Sequence, residues 1–152
     1  MNTYLENFIK EKFQTPGKAL DLGAGKFQDI EALKKKGWVC EGVDKNRGID
    51  LNELYISKIK PFDLVYSNYV LHFLKNKQQL LDTVYQNLKK DGWLFLQTFD
   101  KSDENIKGFT KEEIMNLLKD FQNISTKVFS IYDDEPGHNH WHQIMEVTAQ
   151  KK

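Results

Sequence analysis

The sequence predicts an α/β domain in which helices cover both faces of a mostly parallel sheet. Short apolar segments of strand length alternate with segments of helical spacing from residue 18 to residue 121, which is typical of parallel strands joined by crossover helices. The last two apolar segments, 124–132 and 141–149, have no helix between them, so we expect an antiparallel pair at the edge of the sheet. No repeat, linker or low-complexity tract interrupts the 152 residues, and we expect one domain, 1–152.

Each element is predicted from a local pattern. Helices are expected where apolar side chains recur every three or four residues, and they end at breakers such as Thr15-Pro16-Gly17 and Gly37. Thr110 is a predicted helix cap, because Glu112 and Glu113 follow it in the first turn. The predicted helices are 2–13, 29–36, 77–90 and 110–121, with a short helix or turn at 51–60; the predicted strands are 18–22, 38–44, 62–67, 93–99, 124–132 and 141–149.

The composition excludes several classes of partner. Lys and Arg together number 22, and so do Asp and Glu, so the chain has no general attraction to DNA or to anionic membranes. Cys40 is the only cysteine, which makes a reducing compartment natural. There is no apolar run of about 18 residues to span a membrane, and the first residues lack the layout of a secretion signal. We therefore expect a cytoplasmic protein with neither a DNA nor a membrane partner.

The segment 19–25 contains the most informative local pattern. An apolar strand reaches Asp21-Leu22 and then enters the turn Gly23-Ala24-Gly25 ahead of a helix. Glycine has no Cβ, so this backbone can turn tightly and allow a ligand to approach. The free N–H groups of the following helix would point at that ligand. A glycine pair alone also occurs in ordinary turns, so the interpretation depends on what surrounds it.

Acids follow the strands at the positions where ligands bind in open parallel sheets. Asp21 precedes the glycine turn, Asp44 ends the second strand, and Asp50 lies in the next loop. Asp44 is close to the spacing of about 20 residues expected for an acid that binds ribose hydroxyls. Each acid alone is equally typical of a turn or helix cap. The three acids together favour a ligand site at the carboxyl ends of the strands.

The glycine pattern restricts the ligand class. A dinucleotide loop requires a third glycine, but Gln28 occupies that position, and no phosphate-cradling Gly-Lys-Ser/Thr loop is present. The loop therefore predicts a nucleoside ligand without a diphosphate. Gln28 also disfavours a nicotinamide-dependent oxidoreductase.

These residues resemble class I S-adenosylmethionine-dependent methyltransferases over about 18–121. The resemblance comprises Leu20 to Gly25, Gly42-Val43-Asp44-Lys45, Ile49-Asp50-Leu51, the strand from Phe62 into Ser67-Asn68-Tyr69, and Leu88 to Leu94. The tail is similar, more loosely, to small tellurite-resistance-type methyltransferases. The resemblance implies a three-layer Rossmann-like methyltransferase fold, with a mostly parallel seven-stranded sheet and an antiparallel edge strand. It implies S-adenosylmethionine as cofactor, bound by Asp21, Gly23, Ala24, Gly25, Asp44, Lys45, Asp50, Leu51, Ser67, Asn68 and Tyr69.

Methyl transfer needs a bound and aligned acceptor more than a fixed catalytic set, since the sulfonium leaving group is already good. Enzymes that methylate nucleobase amino groups typically carry prolines in the turn that corresponds to Ser67-Asn68-Tyr69-Val70, and this segment has none. We therefore expect a small-molecule acceptor. The alternative is a non-catalytic cofactor-binding module or a partner subunit of a methyltransferase complex. No segment looks large enough for a substrate lid, so a homodimer or another subunit is a candidate source of one.

Three histidines are weak catalytic candidates: His72 after the predicted strand 62–67, and His138 and His140 in the closing loop. His138, His140 and His142 alternate beside Asp134 and Glu135, and imidazole is a common metal ligand. Three ligands from one strand are unusual for a metal site, so the sequence favours no metal and interprets these histidines as polar loop residues. The resemblance suggests a substrate-facing general base among them.

Phe27 departs from the methyltransferase pattern. Many members carry a small residue there, and the phenylalanine either narrows the mouth of the pocket or packs against the first helix.

Overall fold

The computed structural model describes residues 1–152 and contains four α-helices and six strands. The helices are α1 (Thr3–Lys12), α2 (Gln28–Lys35), α3 (Lys77–Asn87) and α4 (Lys111–Leu117). The strands are β1 (Lys18–Leu22), β2 (Val39–Val43), β3 (Phe62–Asn68), β4 (Leu88–Phe99), β5 (Phe121–Asp133) and β6 (His140–Lys151). Two 3₁₀ turns, Lys45–Arg47 and Leu71–Phe73, follow β2 and β3.

The strands form one sheet in the order β2-β1-β3-β4-β6-β5. β1 pairs in parallel with β2 and β3, and β3 pairs in parallel with β4. β6 runs antiparallel to both β4 and β5. The α/β class and the antiparallel closing pair are thus confirmed. Because β5 runs in the same direction as β4, the carboxyl ends of β1 to β5 share one edge of the sheet.

The sheet has six strands, and the expected number of seven is wrong. The chain from β2 to β3 contains only the 3₁₀ turn Lys45–Arg47 and turns before Pro61. A further parallel strand outside β2 would need a crossover of about a dozen residues as well as its own length. Pro61 lacks the backbone N–H of a ladder residue. β2 is consequently the edge strand, and Val39 is exposed there.

Helices cover both faces of the sheet, as strand alternation requires. One core cluster joins β1, β3 and β4 to α3 and α4 through residues such as Leu20, Leu80 and Ile114. The other joins the opposite face to α1 and α2 through Leu5, Ala19 and Leu33 among others. Successive side chains of a strand point to opposite faces, so Leu20 and Leu22 belong to the first cluster and Ala19 to the second.

The largest boundary differences lie at β4 and β5. β4 begins at Leu88 and β5 at Phe121, so the predicted helices 77–90 and 110–121 end earlier than expected. The start of α4 agrees with the prediction, since the Thr110 hydroxyl accepts the Glu113 N–H and the Glu113 carboxylate accepts the Thr110 N–H. None of the helices combines the length and apolarity needed to cross a bilayer.

Candidate functional site

A cleft of about 350 Å³ opens at the carboxyl ends of β1, β2 and β3. This is the edge at which open parallel sheets bind ligands. Its walls come from the turn after β1, the loop after β2 and the turn after β3. The lining residues are Gly23, Asp44, Lys45, Ile49, Asp50, Leu51, Asn52, Asn68, Tyr69, Val70, Phe73 and Leu74.

The turn after β1 is anchored by the backbone of β2. The N–H groups of Gly23 and Ala24 both donate to the carbonyl of Val43 at 2.9 Å. Gly23 has φ +89°, and a Cβ at this position would lie 2.3 Å from Cγ2 of Val70. Only glycine therefore allows the turns after β1 and β3 to approach each other. Gly25 has φ +55°, and a Cβ there would meet no atom within 4 Å.

Asp44 connects this turn to the loop after β2. Its Oδ1 accepts the Gly25 N–H at 3.2 Å, and its Oδ2 accepts the Asn46 N–H at 3.0 Å. The residue is only 9% exposed and lines the cleft. A carboxylate oxygen has two lone-pair directions, so each oxygen can accept a further hydrogen bond from a ligand in the cleft.

The loop 49–52 lines the cleft with both apolar and polar side chains. Leu51 is buried, and Ile49 packs against the same core cluster. Asp50 Oδ1 accepts the Asn52 N–H at 2.9 Å. Asn52 Oδ1 in turn accepts the N–H groups of Lys75 and Asn76 at 2.8 and 3.2 Å, which joins this loop to the start of α3.

The turn after β3 provides the third wall. Tyr69 has φ +62° and donates its N–H to the carbonyl of Gln97 at 2.8 Å. The side-chain oxygen of Asn68 is buried and has no hydrogen-bond partner within the protein. A buried acceptor without a partner is unusual, and here it belongs to a residue that lines the cleft.

Most of the predicted cofactor residues line this cleft: Gly23, Asp44, Lys45, Asp50, Leu51, Asn68 and Tyr69. The other four surround it. Ala24 packs against Gly42, Gly25 donates to Asp44, and the buried Ser67 hydroxyl donates to the carbonyl of Leu22 at 2.8 Å, joining β3 to β1. Five further residues line the cleft and were not predicted as cofactor residues: Ile49, Asn52, Val70, Phe73 and Leu74. Ile49 belongs to the motif Ile49-Asp50-Leu51, and the only signal of the other four is that each lies within a few residues of a predicted position.

Asp21 is buried on the sheet, where it is opposite Gly42 on β2 and Tyr66 on β3. Burial, and after it the negative charge of Asp29, raises the pKa of the Asp21 carboxyl to about 8. A group with this pKa is mostly protonated at neutral pH. Asp21 is therefore a largely neutral residue behind the glycine turn.

Phe27 lies away from the cleft. It has φ +63° and precedes α2. Its ring touches the position that a Cβ on Gly42 would occupy, and the Arg47 guanidinium lies 3.8 Å from the ring centroid. Phe27 thus packs over β2 beneath Arg47, and it leaves the cleft open.

The histidines fall into two places. The His72 ring packs at a tilt against Phe73 and edge-on against Phe99, with centroid separations of 4.0 and 4.8 Å. Burial, followed by the charge of Lys77, lowers the pKa of His72, and its Nδ1 has no partner. His138 and His140 lie at the tip of the β5–β6 hairpin, where His138 Nδ1 is 2.8 Å from Asp133 Oδ2.

The comparison with protein families identifies the domain. Residues 2–144 match the family described as "Methyltransferase domain". The chain belongs to this family. The resemblance inferred from the motifs is confirmed, and the six-stranded sheet is a Rossmann-like methyltransferase sheet.

Among curated proteins, malonyl-[acyl-carrier protein] O-methyltransferase of Calditerrivibrio nitroreducens is 36% identical over 58 residues, which are 38% of this chain and 22% of that protein. Among solved structures, TehB from Haemophilus influenzae is 18% identical with a TM-score of 0.77, covering 100% of this chain and 63% of that one. A 1,6-didemethyltoxoflavin-N1-methyltransferase from Burkholderia thailandensis, solved with 1,6-didemethyltoxoflavin and S-adenosylhomocysteine bound, is 20% identical with a TM-score of 0.71, covering 96% and 76%. This chain spans less than two thirds of the length of the first two proteins. The structural likenesses, at these identities, establish the fold.

Proposed function

We propose that this protein transfers a methyl group from S-adenosylmethionine to a small-molecule acceptor. The observation that carries the proposal is the position of Asp44: a mostly buried carboxylate at the end of β2 that is held by two backbone N–H groups and lines an open cleft. The family membership of residues 2–144 supports the same reaction. S-adenosylhomocysteine bound in the Burkholderia thailandensis structure supports the cofactor.

The lining of the cleft fits the cofactor in three respects. Asp44 has acceptor capacity for ribose hydroxyls, and Ile49 and Leu51 supply apolar surface for a base. The backbone at Gly25 allows close approach, since a Cβ there would meet nothing within 4 Å. The unpartnered oxygen of Asn68 can accept an N–H from the ligand. S-adenosylmethionine, when bound, supplies a methyl group on a sulfonium sulfur.

The residues of this chain bind and orient rather than react. Asp44 and Asp50 hold the ribose side of the ligand, and Asn68 and Tyr69 form the opposite wall of the cleft. His72 is the candidate histidine beside this wall, because its ring packs against the lining residue Phe73. Its lowered pKa keeps the imidazole neutral near pH 7, which suits a group that takes a proton from an acceptor.

The charge of the chain favours a small acceptor over DNA. Lys and Arg together number 22, as do Asp and Glu, so the chain has no general attraction to a polyanion. Phe73 at the mouth of the cleft is 76% exposed. Such exposure favours, as a second candidate, a cofactor-binding module whose mouth is covered by a second copy or another subunit.

The experiment is calorimetry with S-adenosylmethionine and S-adenosylhomocysteine, followed by incubation with pooled metabolite extracts and measurement of released S-adenosylhomocysteine. The proposal predicts saturable binding of one equivalent and release that depends on a low-molecular-weight fraction. No binding at millimolar cofactor to folded protein contradicts the proposal. Binding without release in any extract supports the non-catalytic module instead.

A further inference from the structure

A cluster of titratable side chains at the tip of the β5–β6 hairpin has no role in the proposed reaction. It consists of Asp133 at the end of β5, His138 in the turn that follows, His140 and His142 at the start of β6, and Asp103 from the loop after β4. We call these five residues the hairpin cluster. Asp133 and His142 are about four-fifths or more buried, with side chains 21% and 13% exposed.

Hydrogen bonds fix which nitrogen of each ring carries the proton. His140 Nδ1 lies 2.5 Å from the carbonyl oxygen of His138. His142 Nδ1 lies 2.9 Å from Oδ2 of Asp103. A carbonyl only accepts, and so does an ionised carboxylate, so both rings donate through Nδ1. In each neutral ring, Nε2 is then an unprotonated acceptor.

Donors surround both oxygens of Asp103 in this arrangement. The N–H groups of Asn105 and Ile106 donate to Oδ1, and the Gln143 N–H and the His142 ring approach Oδ2 at 2.8 and 2.9 Å. The Nδ1–H of His142 therefore donates to Asp103, and the lone pair on its Nε2 is free for another partner.

The free lone pairs converge. His140 Nε2 and His142 Nε2 are 3.0 Å apart, and Asp133 Oδ2 is 3.6 Å from His142 Nε2. The ligand atoms of these three residues all lie within 4.8 Å of one another. The two Nε2 lone pairs and the Asp133 carboxylate repel one another when no cation lies between them, and a cation at that point removes the repulsion.

We propose that His140, His142 and Asp133 form a binding site for one divalent transition-metal ion of the Zn²⁺ class. Two imidazole nitrogens and a carboxylate oxygen are typical ligands of this ion. Zn–N distances near 2.0 Å in a tetrahedron separate ligand atoms by roughly 3.3 Å, which lies between the 3.0 and 3.6 Å found here. Three protein ligands leave a fourth coordination position for water.

The surroundings of the three ligands resemble the supports of known metal sites. Metal-binding histidines almost always donate their other N–H to a carboxylate or a carbonyl, as His142 does to Asp103 and His140 to the His138 carbonyl. Asp133 is held by His138 Nδ1 at 2.8 Å and by the Glu135 N–H at 3.1 Å. Each ligand is therefore oriented before an ion arrives.

The geometry reverses the interpretation that the sequence favoured. Alternating histidines of one strand made a poor ligand set, but the fold adds Asp133 from β5 and a support from the loop 100–109. The site is distinct from the cofactor cleft, from which Phe99 separates it: the Phe99 ring is 5.0 Å from His142 and 5.5 Å from Tyr69, centroid to centroid. The proposal does not depend on methyl transfer.

Titration of the chelator-treated full chain with Co²⁺ tests the site. We expect one equivalent of Co²⁺ to give the visible d–d absorption of a four-coordinate ion and Zn²⁺ to displace it. Asp133→Asn and His142→Gln should weaken binding at least tenfold. Asp134→Asn is the matched control, because this exposed neighbour makes no contact with the hairpin cluster, and its affinity should equal that of the wild type.

Thermal unfolding keeps the test valid if a variant is poorly folded. One equivalent of Zn²⁺ should raise the midpoint of the wild type and of Asp134→Asn. Co²⁺ spectra without d–d absorption, equal affinity in His142→Gln, or an unchanged midpoint each overturn the proposal. So does an NMR spectrum in which a proton shared by the two Nε2 atoms persists when Zn²⁺ is added.

Discussion

Two regions on one edge of the sheet use polar side chains differently. At the cleft beside β1, β2 and β3, Asp44 and Asp50 accept backbone N–H groups and keep part of their acceptor capacity for a ligand. At the hairpin cluster beside β5 and β6, the carboxylates Asp133 and Asp103 accept hydrogen bonds from the rings of His138 and His142. The cleft is thus shaped by backbone turns, whereas the hairpin tip is shaped by contacts between side chains far apart in the sequence.

The opposite pKa shifts of two buried carboxyls illustrate this difference. Burial, and after it the negative charge of Asp29, raises the pKa of Asp21 to about 8. Asp103 is fully buried as a side chain, yet backbone N–H groups and His142 lower its pKa. Burial acts to raise the pKa of both carboxyls. What decides the charge is the number of N–H groups that point at the carboxylate.

The largest expected effect is that of Asp103→Asn on stability. Asp103 accepts four N–H groups at 2.8 to 2.9 Å, two on each carboxylate oxygen. In asparagine a nitrogen replaces one of these oxygens, and that nitrogen cannot accept the two N–H groups. We expect a loss of about 3 kcal/mol in the free energy of unfolding at pH 7, because buried N–H groups lose their partner. Denaturant unfolding measures this.

The pH dependence sharpens that prediction. The folded-state pKa of Asp103 is lowered, so its charge stabilises the protein above the unfolded pKa of about 3.9 and this contribution disappears as the pH falls through the folded value. The difference between wild type and variant should therefore shrink below about pH 4. The exposed neighbour Glu104→Gln is the control and should change stability by less than about 0.5 kcal/mol. A variant as stable as the wild type at pH 7 contradicts the argument.

Asp44→Ala should have the next largest effect, on cofactor binding. Removing the carboxylate leaves two ribose hydroxyls without a charged acceptor, which weakens affinity for S-adenosylmethionine roughly 100-fold. Calorimetry measures the change, and circular dichroism checks that the loop stays folded. Glu31→Ala removes an exposed acid of α2 and should bind as the wild type does. Equal affinities of the two variants would mean that Asp44 is not a ribose ligand.

The sequence predicted those parts of the cleft that depend on local rules. Gly23 and Asp44 are turn or strand-end positions: a positive φ and a close approach require the glycine, and a ribose ligand favours a carboxylate. Tyr69 was expected from the resemblance alone. Phe73 and Leu74 are ordinary apolar residues, and their position at the cleft depends on tertiary structure. The fold class followed from alternating patterns, but the strand number expected from the resemblance was wrong because no strand pattern exists between β2 and β3.

The hairpin cluster shows what local patterns miss. The histidines were visible in the sequence, but Asp103 lies 39 residues from His142 along the chain. No short-range rule pairs two such positions, since the contact arises only when β6 inserts beside β4. A site made of distant side chains therefore requires the topology before its ligands can be recognised.

The smallest expected effect on stability is that of Asp21→Asn, and its sign is opposite: the variant should gain stability relative to the wild type as the pH rises. The folded-state pKa of Asp21 is raised to about 8, so its neutral form stabilises the protein below the unfolded pKa, and this stabilisation is lost as the pH rises through the folded value. Asparagine remains neutral, so between pH 6 and pH 8 the wild type should lose up to about 2 kcal/mol relative to the variant. Unfolding at the two pH values measures this, with the exposed Glu11→Gln as control. If the difference between Asp21→Asn and wild type stays constant with pH, Asp21 is charged when folded, and a donor must approach it as donors approach Asp103.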